Sequence, residues 1–303
     1  MRAANGIRSF FSTLRSRRPE TPSNDFFEPL PHPKIGLALG GGFARGIAHA
    51  GVLAVFEREG IPIHCITGCS AGAIAAAAYA SGATPDEIAR AGCKMRFGDV
   101  ARWSLCRMGF VVSERMQRFL ERLLKAYRFE DMRIPLGVIA TDLATGQTVR
   151  FRDSGDVFLP IRASCSYPGL FQPVRYHDRL LVDGAISMEI PASLARHLGA
   201  THVISVHLPV QAEDKPPTNV FQVVNRCFQI MEARTEDTWR RDTDLVITPD
   251  VSRVQWDGFN CGPDMVKAGE LAAIAALPAI RKWFPAKAGA SVGGLLPLPQ
   301  AGD

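Results

Sequence analysis

From Lys34 onward the chain alternates short apolar blocks with longer stretches whose apolar residues recur every three or four positions. Ile35-Gly36-Leu37-Ala38-Leu39 is of the first kind and predicts a buried strand. After Gly40-Gly41-Gly42-Phe43-Ala44-Arg45-Gly46, the residues Ile47, Ala50, Gly51, Ala54 and Val55 give helical spacing, and the pattern stops near Gly60. Ile61 to Thr67 is a second strand, so the three pieces make a βαβ unit, right-handed by default. The small residues from Ala71 to Ala80 predict a helix pressed tightly against a sheet. Thr84-Pro85-Asp86-Glu87 opens a further helix, with Thr84 as N-cap and Pro85 in the first turn.

Residues 93–112 carry Trp103, Leu105, Met108 and Phe110 among Arg96, Arg102 and Arg107. They read as a packed connection, with a mobile flap as the alternative. Ser113 caps an amphipathic helix whose apolar face holds Met116, Phe119, Leu120, Leu123, Leu124 and Tyr127. Strands are predicted over 136–141, 148–151, 180–182, 201–208 and 245–249, and helices over 159–166, 191–198, 220–239 and 262–284. Strands alternating with helices, without an internal repeat, indicate one α/β domain with a mainly parallel sheet.

Composition changes this picture chiefly at the ends. The net charge of +5 is mild and concentrated near the N-terminus, and no basic stripe interleaved with aromatics suggests nucleic-acid binding. Up to Pro19 there are five arginines and no acid. Ile7, Phe10, Phe11 and Leu14 would form one stripe of a helix suited to an anionic membrane interface, so residues 1–20 are a candidate peripheral membrane contact. A transit peptide and a disordered basic tail fit the same composition, whereas the missing apolar core argues against a secretory signal. With its four prolines over 21–33, the segment 1–33 reads as tail and linker, 34–284 as the domain, and 285–303 as a Gly/Ala/Pro-rich tail. No run approaches the roughly 18 apolar residues of a membrane span. Seven scattered cysteines without a Cys-x-x-Cys pair argue against a disulfide framework or zinc site and for a reducing, cytoplasmic setting.

The candidate chemistry begins at Gly68-Cys69-Ser70-Ala71-Gly72, which stands between an apolar block and a helix. This is the sequence form of a nucleophile elbow, in which a serine sits on a sharp strand-to-helix turn. Flanking glycines suit such a turn because they bring no Cβ to clash. Cys69 reads as a small buried side chain. The Gly-rich loop 40–46 lacks the third glycine of a dinucleotide fingerprint, since Arg45 stands there, and the Gly-Lys-Ser/Thr of a phosphate loop. It fits a nest of backbone N–H groups, which beside Ser70 would face a tetrahedral oxyanion. Asp183-Gly184-Ala185 closes a predicted strand; it is either a carboxylate able to reach Ser70 or an ordinary Asp-Gly turn.

With these three motifs in order, the chain resembles the bacterial branch of the patatin-like phospholipases. Arg162-Ala163-Ser164-Cys165-Ser166-Tyr167-Pro168-Gly169-Leu170-Phe171 and Asp244-Leu245-Val246-Ile247-Thr248-Pro249-Asp250 add to the likeness, which covers about residues 34–284. The resemblance implies a three-layer α/β/α sandwich with a mainly parallel central sheet, and hydrolysis of phospholipid or lysophospholipid acyl esters by a Ser–Asp dyad with no cofactor and no metal. On that reading Ser70 is the nucleophile and Asp183 its base. Gly40, Gly41 and Gly42 form the oxyanion hole, and Arg45 and Gly46 complete that motif. A Ser–Asp–His esterase using His207, with His197 and His202 also downstream, and a non-catalytic lipid- or anion-binding module stand as alternatives. His49 reads as a helix-packing residue.

Overall fold

The computed structural model describes residues 33–285 except 101, 107–108, 113 and 211–215, and for 97 and 101–114 at most the backbone. In chain order the elements are β1 (Ile35–Leu39), α1 (Ala48–Arg58), β2 (Ile63–Gly68), α2 (Ala71–Ser81), α3 (Pro85–Lys94), α4 (Phe97–Val100), β3 (Arg102–Cys106), β4 (Gly109–Val112), α5 (Glu114–Leu123), β5 (Leu136–Asp142), β6 (Thr148–Phe151), α6 (Phe158–Ser164), β7 (Val174–Tyr176), β8 (Arg179–Asp183), α7 (Ala192–His197), β9 (His202–Val206), α8 (Val220–Arg240), β10 (Leu245–Ile247) and α9 (Gly262–Arg281).

The apolar run of β1 is buried along its whole length, as a strand with helices on both sheet faces requires. β10, β9, β1, β2 and β5 lie side by side in parallel. β6 and β8 run antiparallel to β5, and β7 antiparallel to β8. The sheet is therefore mostly parallel with an antiparallel end, of which β7 was not foreseen in the pattern; its three residues, Val-Arg-Tyr, are too few to show a period.

Alternate residues of β1 feed two cores. Leu37 and Leu39 join Phe56, Ala73 and Ile280 on the face covered by α1, α2 and α9. Ala38 packs with Ala192, Ala195 and Trp239 on the face covered by α7 and the end of α8. α3 starts with a full capping box: the Thr84 hydroxyl accepts from Glu87 N–H while the Glu87 carboxylate accepts from Thr84 N–H.

Two expectations need correction or restriction. Tyr127 is 44% exposed rather than part of the α5 core stripe, because α5 ends at Leu123. Residues 93–112 form the short α4 and a β3–β4 hairpin that makes its own two-stranded sheet; Trp103, Leu105, Met108 and Phe110 lie outside the residues whose side chains are described, as do the basic N-terminal segment and the C-terminal tail. Among the described residues no helix is long and apolar enough to cross a membrane.

Candidate active site

The sheet register explains how residues 113 positions apart meet. Val138 of β5 faces Gly68 of β2 and Phe151 of β6, while Ala140 faces Asp183 of β8 and Val149 of β6. A strand has two edges, and β6 occupies one of them at both positions. β2 and β8 must therefore share the other, entering from opposite ends. Gly68 and Asp183 stop two residues apart along β5, about 6–7 Å at the rise of a strand. The elbow serine lies just beyond Gly68, and Ser70 and Asp183 line one small cavity, where the Ser70 side chain is among the groups that favour the ionised Asp183.

The elbow is strained. Ser70 has φ 52 and ψ −123, a backbone that few non-glycine residues adopt. Of the four described non-glycine residues with positive φ, Ser70 and Phe43 both line this one cavity, so strain collects here rather than over the loops at large. Several contacts hold it. Ser70 N–H donates to Ser164 Oγ at 2.8 Å, and Cys69 N–H to the Leu39 carbonyl at 3.0 Å. A Cβ on Gly72 would run into the carbonyls of Leu39 and Gly40, and one on Gly68 into the start of α2, so both glycines are required by close backbone approach.

Asp183 is 1% exposed. Its Oδ1 accepts from Ala185 N–H at 3.0 Å and from the Cys69 thiol at 3.7 Å. These partners and the Ser70 hydroxyl favour the carboxylate, but burial outweighs them and raises the pKa from 3.8 to about 6. The Cys69 thiol is itself pushed well above its ordinary value, first by burial and then by the Asp183 charge, so it stays a donor. Cys69 is thus more than the inert buried side chain its sequence suggests. The Asp183 backbone is fixed as well: its N–H donates to Ser166 O, and its carbonyl accepts from the Thr141 hydroxyl.

The Gly-rich loop lies against the serine, with Gly41 placed so that a Cβ there would sit 3.4 Å from Ser70 Cβ. One predicted donor is not available: Gly40 N–H donates to the Val206 carbonyl at 3.1 Å, extending the β1–β9 ladder. Gly41 and Gly42 amides have no backbone acceptor among the described residues. His49 is fully buried at the start of α1, and its Nε2 lies 2.9 Å from the Gly40 carbonyl. A carbonyl only accepts, so Nε2 carries the proton; burial lowers the His49 pKa to about 4, leaving the ring neutral. His49 therefore braces the loop as well as packing the helix.

The cavity over Ser70 and Asp183 is small, about 30 Å³, and is walled by Gly41, Gly42, Arg45, Tyr167, Phe228 and Glu232 among others. Phe43 and Phe228 pack against Tyr167, at 4.9 and 4.3 Å between ring centres. Arg45 is 7% exposed; its Nη1 donates to Val254 O at 3.3 Å, and its guanidinium lies in the field of Glu232 and Glu189. Glu232 is pushed well above the ordinary carboxylate range, first by burial and then by the charges of Glu189 and Asp183. Asn225, Gln229 and Glu232 of α8 all reach this cavity. None was singled out in the sequence, although their i, i+4, i+7 spacing marks one face of a helix. The histidine alternatives are placed elsewhere: His207 Nε2 lies 3.3 Å from Glu189 Oε1, with its ring against Trp239, while His197 and His202 bond Ser193 and Thr201. None of the three lines the Ser70 cavity.

Comparison with known proteins points to one family. The family model described as patatin-like phospholipase matches residues 37–196, which run from β1 through the elbow and Asp183. The chain belongs to the patatin-like phospholipase family. Within the family it is 31% identical over 208 residues to an uncharacterized NTE family protein of Mycobacterium tuberculosis, covering 66% of this chain and 57% of that one. It is 28% identical over 220 residues to the lysophospholipase NTE1 of Scheffersomyces stipitis, covering 70% of this chain but 14% of the yeast protein. The patatin-like fold is also seen in VipD from Legionella pneumophila, with a TM-score of 0.55 at 13% identity, over 82% of this chain and 67% of VipD.

Proposed function

We propose that this patatin-like protein is a serine acyl hydrolase that cleaves carboxylic esters of phospholipids or lysophospholipids through a Ser70–Asp183 dyad. The supporting observation is a serine on a strained backbone sharing one cavity with a buried carboxylate of raised pKa, beside two backbone amides without a backbone acceptor among the described residues. Ser70 Oγ attacks the ester carbonyl carbon as its proton passes to Asp183. The carbonyl oxygen becomes an oxyanion that accepts from Gly41 and Gly42 N–H, each such donor being worth about 2.7–4 kcal/mol in the transition state. The ester C–O bond then breaks and Asp183 returns the proton to the departing alcohol. Water, deprotonated by the same carboxylate, releases the fatty acid from the serine. A pKa of about 6 makes Asp183 a better base near neutrality than an ordinary aspartate while leaving it ionised. In this conformation the cavity has space for about one water, so the walls contributed by α8 must give way to admit an ester.

The test is labelling by a fluorophosphonate probe together with hydrolysis of a lysophospholipid. The wild-type protein should do both and Ser70→Ala neither, with an unchanged circular dichroism spectrum. A wild-type protein that neither labels nor hydrolyses is a binding module, and the dyad reading falls.

A further inference from the structure

Helix α8 has two opposite sides of different character. Its inner side seats Phe221, Val224 and Phe228 on the core and brings Asn225, Gln229 and Glu232 to the Ser70 cavity. Its outer side carries Val220, Val223 and Ile230, which are 74%, 45% and 51% exposed, with the exposed Cys227 between them. Spacings of i, i+3, i+7 and i+10 make these four one stripe. Val223 and Ile230 each precede by two residues a group of the cavity wall, Asn225 and Glu232. At 3.6 residues per turn, two residues are about 200°, so stripe and cavity wall lie on opposite sides of the helix. Three of the seven large hydrophobic side chains exposed among the described residues therefore stand on the outside of one wall of the active site, and no other element carries more than two. A helix that served only to cover the cavity would be polar on its outer side.

We infer that this outer stripe docks the protein on an anionic lipid surface, setting the cover of the Ser70 cavity against the lipid. The purpose rests on the hydrolase reading above; the contact itself does not. Three apolar side chains on one helix cannot supply the roughly 800 Å² per partner that a stable protein–protein interface buries, which disfavours a second copy of the chain. A lipid interface takes up a single apolar stripe of this kind, and does so more strongly where basic residues adjoin it. Here they do. At seven-residue spacing the line of Val220 and Cys227 runs on into exposed Arg234 and Arg241, against one exposed acid, Asp237, on the neighbouring line of Val223 and Ile230. From residue 220 to 235 the only acid in the sequence is Glu232, which faces the cavity. The outer side of the helix is thus apolar at its start and net positive toward its end.

The experiment measures sedimentation of full-length Ser70→Ala protein with vesicles of four parts phosphatidylcholine to one of phosphatidylglycerol. Without its nucleophile the protein leaves the lipid intact, so the result does not depend on turnover. A protein that docks but whose wild-type form hydrolyses nothing would refute the dyad and keep this assignment. Val220→Ser/Ile230→Ser, placed in the Ser70→Ala background, should bind at least tenfold more weakly. Both side chains are more than half exposed, so the circular dichroism spectrum and urea midpoint should stay close to those of the parent. Ile230→Ser alone should lower binding even if the double variant folds poorly, and Val220→Leu/Ile230→Leu should bind at least as tightly as the parent. Arg234→Gln should weaken binding about fivefold, the roughly 1 kcal/mol of one arginine near an anionic surface. No binding by the parent, or binding that survives in both serine variants, overturns the assignment. A tenfold difference that disappears when residues 1–20 are deleted would move the contact to the basic N-terminus and overturn it too. Equal vesicle binding, with a dimer in ultracentrifugation that the serine pair turns into a monomer, would give the face to a second copy instead.

Discussion

Asp183→Asn separates what the carboxylate does for chemistry from what it costs the fold. In the folded protein Asp183 titrates at about 6 against an ordinary 3.8, a rise of about 2 pH units or roughly 3 kcal/mol. The folded state therefore holds this proton more tightly than the unfolded chain does. The stabilisation is fully present below 3.8, is lost as pH rises through about 6, and is gone above about pH 7. Integrating between these two values puts the penalty at about 2 kcal/mol at pH 5 and about 3 kcal/mol at pH 8. Asparagine cannot ionise and escapes the penalty, but it changes the hydrogen bonds to Ala185 and Cys69 by an amount that does not vary with pH. The clean observable is therefore the change with pH. The stability of Asp183→Asn minus wild type should increase by about 1 kcal/mol from pH 5 to pH 8, read by urea denaturation at each pH. In thermal melts this is about 2–4 °C for a domain of this size. Over the same range the variant should lose about 10²–10⁴-fold in ester hydrolysis, the usual contribution of a general base. A stability difference that stays flat between pH 5 and pH 8 would mean that Asp183 is already ionised in the folded protein at pH 5, and the argument from burial would fail.

Three further outcomes follow from the same contacts. The wild-type kcat/KM should rise with pH through about 6 and level off above pH 7, since the base must be deprotonated; a profile flat from pH 5 to pH 8 would exclude Asp183 as that base. Gly72→Ala should cost about 3 kcal/mol or more in urea unfolding, at the upper end for overpacking, because the added methyl meets two fixed carbonyls and no flexible side chain. His207→Ala should keep fluorophosphonate labelling and most hydrolysis, since His207 faces Glu189; a loss as large as that of Ser70→Ala would restore the histidine triad.

How far the site could be read from the chain depends on how local each part is. The elbow was legible because strand, turn and helix are consecutive, and close packing by Gly68 and Gly72 leaves a short, fixed spacing in the sequence. β1 was legible because a strand buried on both faces has no polar residue to interrupt its run. The meeting of Ser70 with Asp183 is of another kind. It depends on β8 taking the stretch of the β5 edge that β2 leaves vacant, a register among three strands that no local pattern records. Gly40 shows the opposite error: three adjacent glycines look equivalent as letters, yet the first is the last rung of a ladder and its amide is already spent.

Helix α8 carries the largest omission, and its cause is physical. A helix declares itself through its apolar stripe, but among the described residues of this 21-residue helix only Trp239, near its end, is buried. Beside Phe228, its groups over the site are Asn225, Gln229 and Glu232, polar residues that in sequence resemble a solvated face. Nearer its start, Phe221, Val224 and Phe228 pack on the core but stay only partly buried. That leaves the part over Ser70 cheap to displace, since the cost of opening scales with the apolar area uncovered. The features that hide α8 from a hydrophobicity argument are thus those that suit it to cover a cavity which must open for an ester.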